Sequence, residues 1–154
     1  MAYERKVRIN IFRGMRTEHF FAQLLQLEKP YSVSSVKYDQ GPKGQIMSVA
    51  VEIEIEKDYR PPTEPGVKVS RHDVEKRAWR HLDLFQYPCY LHCAVPKFKY
   101  DDGHKQWYKT MEVPWARAQS GFTLLFEHLV MSLLEVHGCP AQVAQSIKEY
   151  PQRV

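Results

Sequence analysis

Lysine and arginine side chains spaced along strands and ahead of helices can neutralise the phosphates of a nucleic acid. The candidates in this chain are Arg77, Arg80, Lys97, Lys99, Lys105, Lys109 and Arg117. Arg77, Arg80 and His81 lie close together, with Trp79 between them. Two uses fit that cluster. The guanidiniums can contact phosphates while Trp79 packs inward, or Arg80 can pair with Asp73 or Asp83 and only stabilise its own segment. Lys97 and Lys99 fall on one face of a strand, and Lys105 and Lys109 on one face of the next. If those faces coincide, the lysines make a ribbon suited to a DNA backbone; if not, they coat a solvated hairpin. Arg117 stands just ahead of a helix N-terminus and is a further phosphate candidate.

Other chemistries find less. Glu52, Glu54 and Glu56 line one strand face and read as its wet side rather than as a metal site. Cys89 and Cys93 point the same way on a strand, roughly 13 Å apart at about 3.3 Å per residue. Zinc–sulfur bonds are about 2.3 Å, so the two thiols cannot share an ion. They read as small buried residues. His128 reads as a packed, hydrogen-bonded histidine, and Trp115 as a core anchor. Nothing matches a phosphate loop or a nucleophile elbow. The expectation is a protein without catalytic residues, metal or cofactor.

The elements that must carry these residues follow from pattern. The chain has 154 residues, 44% of them hydrophobic, enough for one domain or two small ones with a buried core. Its net charge of +4 permits phosphate binding without demanding it. Three cysteines and no signal peptide point to reduced thiols in the cytoplasm. The longest apolar stretch, 122–136, is too short and too polar to span a bilayer. Residues 5–12 alternate as a short strand or extended arm. Thr17 is the expected cap of a helix over 17–28. Residues 31–38 and 47–56 read as strands joined by the Gly41–Gly44 turn, and the proline-rich stretch 58–70 as a loop. Residues 87–100 and 105–113 are strand-like, with Asp101–His104 as the turn between them. Ser120 is the expected cap of a helix to about Val136, burying Phe122, Leu125, Phe126, Leu129 and Leu133. Gly138 ends it, Pro140 opens a second helix to about Glu149, and Pro151 can open a third. Helix, turn, helix, turn, helix start is how a helix-turn-helix begins.

Two stretches add a resemblance. One runs from His72 through Trp79-Arg80-His81-Leu82 to Tyr87, then Cys89-Tyr90-Leu91-His92 and Val95-Pro96. The other is Val113-Pro114-Trp115-Ala116-Arg117, followed by Ser120-Gly121-Phe122-Thr123. In that order they resemble the transposases of the insertion-sequence family called ISL-three, over about residues 45–154. The resemblance implies a zinc-ribbon-like module and then a helix-turn-helix, both recognising the element's inverted repeats. A domain with three catalytic carboxylates would follow, outside these residues, so this segment should not cut or join DNA. The family's Cys-x-x-Cys falls here on Pro62 and Pro65, with Gly66 kept. The third ligand position falls on Tyr100, and only His104 stands near the fourth. Structural zinc takes about four nitrogen or sulfur ligands, so proline stiffness and packing must hold the loop instead.

The resulting expectation is an α+β chain with a small antiparallel sheet from 31–56 and 87–113. Residues 1–117 would form a zinc-ribbon-like domain without its ligands, and 118–154 a helical, partial helix-turn-helix segment. Its expected partner is double-stranded DNA and its expected role is terminal-repeat recognition. The alternative is a stand-alone protein-interaction module or inhibitor derived from such a segment, with a protein partner or a homodimer.

Overall fold

Alternating side chains build the sheet, and its edges decide where each cation goes. The computed structural model describes residues 16–149 and 151–153. The strand or arm expected at 5–12 lies outside them. In chain order the elements are α1 (Thr17–Leu24), β1 (Tyr31–Gln40), β2 (Ile46–Ile55), β3 (Lys68–Leu84), β4 (Tyr87–Asp101), β5 (Gln106–Thr110), α2 (Leu124–His137) and α3 (Pro140–Ile147). A 3-10 turn follows at Pro151–Arg153. The chain is thus an α+β fold.

The sheet is mixed, not antiparallel as the sequence suggested. β1 and β2 form an antiparallel pair, but β2 runs parallel to β4, with Val49 opposite Cys89 and Ile53 opposite Cys93. The cause is the loop 56–67. It crosses the sheet and delivers the chain to the far edge of β4, where β3 pairs antiparallel along nearly the whole strand. Arg71, opposite Phe98, donates from Nη2 to the Glu56 carbonyl (3.1 Å) and marks the crossing. β5 then pairs with Lys97–Asp101 on the edge of β4 that β2 leaves open.

β3 is the longest strand, at 17 residues, and strand pattern did not reveal it. It is hydrogen-bonded to β4 alone within the sheet. Edge strands need little apolar alternation, and in β3 only Trp79 and Arg80 are buried.

The helices shift in phase against expectation. α1 starts at Thr17 itself, with Arg16 at the cap position and no side-chain cap bond. It also ends at Leu24, short of residue 28. α2 starts at Leu124 because Thr123, not Ser120, caps it by accepting from the Phe126 N–H. The Arg80 N–H donates to the Gly121 carbonyl (2.8 Å) and the Thr123 N–H to the Arg80 carbonyl (2.9 Å). Those bonds hold residues 121–123 extended beside β3, so the helix cannot begin earlier. Its inward stripe becomes Phe126 and Val130, with Leu133 and Leu134 half-buried. Leu125, Leu129 and His128 turn to solvent instead of packing inward. Gly138 closes α2 at φ 66°, a left-handed conformation suited to glycine.

Two apolar clusters result. One gathers Val51, Ile53, Trp79, Leu91, Cys93 and Val95 under β1, β2 and β4, with Val113 and Ala116. The other gathers Phe126, Val130, Val143 and Ile147 of the helices, with Leu82 and Phe122 packed against it. β3 serves both: Trp79 enters the first cluster and Arg80, its neighbour, turns toward the second.

Candidate nucleic-acid interface

Arg80 leaves the set of surface cations. Its side chain is 0% exposed. Nη2 lies 2.6 Å from Asp83 Oδ1 and 3.2 Å from the Ile147 carbonyl, while Nη1 lies 2.6 Å from the His81 carbonyl. Nε sits 3.4 Å from Glu149 Oε1. The rings of Tyr90 and Phe126 close over the guanidinium. A phosphate has no approach to it in this arrangement. The pairing with Asp83 was the other reading of this residue, and the covering helix α3 is the reason a motif arginine is interior.

Arg77 keeps a partly open position. It lies on the face of Trp79 (4.9 Å to the ring centre) and donates to the Ser120 carbonyl (3.2 Å). Arg117 is 75% exposed and its Nε lies 3.0 Å from Glu127. Both line a cleft of about 750 Å³ that also carries Glu75 and Glu112, so its charges are mixed.

The β4–β5 hairpin holds the lysines, in pairs on opposite faces rather than on one ribbon. Directly paired residues of an antiparallel ladder project to the same side. Lys97 stands opposite Thr110 and Lys99 opposite Tyr108, whereas Lys109 stands opposite Phe98. Lys105 lies over the Trp107 ring (5.5 Å), and Trp107 stands opposite Tyr100. Lys97 and Lys99 therefore share one face with Tyr108, and Lys105 and Lys109 share the other with Trp107 and Tyr100. The hairpin register separates them.

Each face interleaves cations with aromatic rings. On the first, Tyr108 meets His72 (4.6 Å between ring centres) and Lys97 (5.9 Å). On the second, Trp107 stacks on Tyr100 at 5.5 Å and 8°. The two acids at the tip are tied into the turn. Asp101 accepts from the Gly103 N–H (2.8 Å) and from Gln106, and Asp102 from the N–H groups of His104 and Lys105. Those backbone bonds hold both carboxyls below the usual carboxylate range. Strand pattern alone missed Tyr100, Trp107, Tyr108 and His72 as site residues. The signal was present as Lys105-x-Trp107-x-Lys109, a two-residue period on one side of β5.

Pro65 and Tyr100 border the second face. Glu64–Val67 forms a turn closed by the Val67 N–H on the Glu64 carbonyl (3.2 Å), with Pro65 and Gly66 at its centre and Gly66 at φ 89°. That is the type II pattern, which proline and glycine favour at those two places. The turn faces Tyr100, Lys105, Trp107 and Lys109 across a groove of about 650 Å³. Among the described residues, no group of three or more His, Cys, Asp or Glu side chains is placed to hold a metal ion. Cys89 and Cys93 are buried in the first cluster, where burial pushes their thiols up to about 11 and about 12. Trp115 meets Trp79 edge-on at 5.5 Å and Tyr31 at 5.2 Å, at the rim of the same cluster.

Compared with known proteins, the chain matches no family model, no curated protein and no solved structure. Among the described residues, no helix is long and apolar enough to cross a membrane.

Proposed function

We propose that this chain is a non-catalytic DNA-binding segment of an insertion-sequence transposase, similar to the ISL-three type, and that it grips the element's inverted repeats. One observation carries the reading. The β4–β5 hairpin projects beyond β2 with lysines and exposed aromatic rings alternating on it, while its acids are occupied by the turn. Lys97 and Lys99, each half-buried, share one hairpin face as phosphate contacts, and Arg77 stands half-buried further along β3, opposite Cys93. Arg117 supports the cleft beside them. The ordered motifs Trp79-Arg80-His81-Leu82 and Pro114-Trp115-Ala116-Arg117 support the family resemblance, and the order of α2, α3 and the Pro151 turn supports reading them as the start of a helix-turn-helix.

Phosphate contacts release counterions, so the logarithm of affinity falls with the logarithm of salt by about 0.9 per contact. Anisotropy titration of a labelled duplex ending in the inverted repeat should give such a slope. The double variant Lys97→Ala, Lys99→Ala should weaken binding and flatten that slope by about 2, at about 0.9 for each of two contacts. Affinity indifferent to salt contradicts the reading.

The runner-up is a protein-interaction module, favoured by the outer side of α2. Leu125 is 60% exposed and Met131 57%, on a helix whose other side is packed. A concentration-dependent dimer abolished by Leu125→Glu, together with salt-indifferent DNA affinity, would decide for it.

A further inference from the structure

The groove between the Glu64–Val67 turn and the second hairpin face is built differently from the lysine pair on the first. Its floor is a ring stack, Trp107 on Tyr100, and Trp107 remains 36% exposed, with the ammonium of exposed Lys105 over the ring at 5.5 Å, where an incoming base must displace it. Lys105 and Lys109 flank Trp107 on the same side of the chain, each roughly 7 Å along at about 3.3 Å per residue. That is the reach to a phosphate on either side of one stacked base. Lys109 is held only by an exposed pair with Glu112 (3.3 Å), which water screens and a phosphate can replace. Two acids line the groove too: the Asp102 carboxylate is turned onto its own turn, and exposed Glu64 stands in the opposite wall. The volume, about 650 Å³, falls within the roughly 300–1,000 Å³ typical of small-ligand pockets.

A base pair inside a duplex cannot use this floor, because neighbouring pairs cover both of its faces. An unpaired base can. Aromatic platforms flanked by cations bind single strands in this way, with little sequence preference. The turn at Pro65 and Gly66 walls the groove.

We infer that this groove binds an unpaired nucleotide, its base stacked on Trp107 and its phosphates between Lys105 and Lys109. The inference rests on the DNA-binding reading and adds a second contact of different kind, on the opposite hairpin face. A strand with an unpaired end could lie in the groove while Lys97 and Lys99 hold the adjoining duplex.

The test compares, by fluorescence anisotropy on the full chain, a blunt duplex and the same duplex carrying a thymine overhang. The overhang should bind about tenfold more tightly, as one base–aromatic stack allows. Trp107→Ala should abolish that preference, and Trp107→Phe should keep most of it. Lys97→Ala with Lys99→Ala should weaken both duplexes alike. Equal affinity for the two duplexes, or a preference that survives Trp107→Ala, overturns the groove and spares the DNA-binding reading. Binding of a thymine strand alone, lost in Trp107→Ala, with none of the blunt duplex overturns the duplex reading and sustains the groove. Binding to neither overturns both.

Discussion

His81 and the buried cysteines show how position sets chemistry for single residues here. Burial first, and the neighbouring Arg80 charge second, hold His81 below its ordinary pKa of 6.5. Its Nδ1 lies 2.9 Å from Thr123 Oγ1, at a contact between β3 and the cap of α2. The unfolded chain has no such constraint and takes up a proton near 6.5. Between the two pKa values the unfolded state binds more protons, so stability rises with pH across that window. The His81 contribution is therefore full above about 6.5 and is lost as pH falls toward the lowered folded value. Urea midpoints should drop as pH falls below about 6.5, and His81→Gln should flatten that part of the profile. An unchanged profile in the variant would assign the drop to other groups. The thiols give a second reading at this scale. Thiolate is the reactive form, and Cys89 and Cys93 are both buried and pushed up, whereas Cys139 is half-buried at the start of α3. Native protein should release one fast thiol to an aromatic disulfide reagent, from Cys139, and the other two only in denaturant. Loss of the fast phase in Cys139→Ser checks the assignment.

Among the elements, the Glu64–Val67 turn is where a single backbone conformation shapes the candidate site. Gly66 at φ 89° has open space where a Cβ would stand, so the objection to a side chain is conformational rather than steric crowding. Gly66→Ala should cost about 1 kcal/mol in denaturant unfolding, since alanine pays for a positive φ that glycine adopts freely. Overhang preference should weaken with it if the turn shapes the groove. The loop that carries Pro65 and Gly66 was legible in the sequence, though read through to residue 70 where β3 already begins at Lys68, as were β2, the Asp101–His104 turn and the Gly138 stop. Each is a local signal: alternation, a turn pair, a left-handed cap. β3 was not legible, because its edge position asks for hydrogen bonds and not for an apolar period. The parallel pairing of β2 with β4 was not legible either, since it depends on where a long loop deposits the next strand. The start of α2 was misplaced by three residues of backbone pairing with Arg80, an interaction that no cap propensity encodes. In the candidate site, the lysines were readable and their separation onto two faces was not. That separation follows from hairpin register, which sets Phe98 rather than Lys97 against Lys109.

At the scale of the whole molecule, Arg80 is a buried charged link between a sheet core and a smaller helical core. Arg80 reaches from β3 to the end of α3, and Glu149, its side chain 3% exposed, also accepts from Arg153 Nη1 at 2.7 Å. Arg153 in turn lies over Phe122 and reaches back to the Gly121 carbonyl. The knot therefore fixes α3 and the Pro151 turn relative to the sheet that carries the hairpin. Arg80 Nε and Glu149 Oε1 attract at 3.4 Å without a hydrogen bond, so the pairing relies on charge in a dry setting. Removing one partner of such a buried pair strands the other and costs about 3–5 kcal/mol. The second core, with four buried apolar side chains, has little reserve against that loss. In a Trp107→Phe background, Trp79 and Trp115 fluorescence, which reports the sheet core, and far-UV ellipticity, which includes the helices, should trace one urea transition. With Arg80→Ala added, the curves should part, with ellipticity falling first as α2 and α3 detach and the tryptophan signal holding to higher urea. Blunt-duplex binding through Lys97 and Lys99 should persist at urea concentrations where the helices have already detached. Coincident curves in the variant would mean that Leu82 and Phe122 couple the cores by packing alone, and that the arginine is dispensable to the coupling.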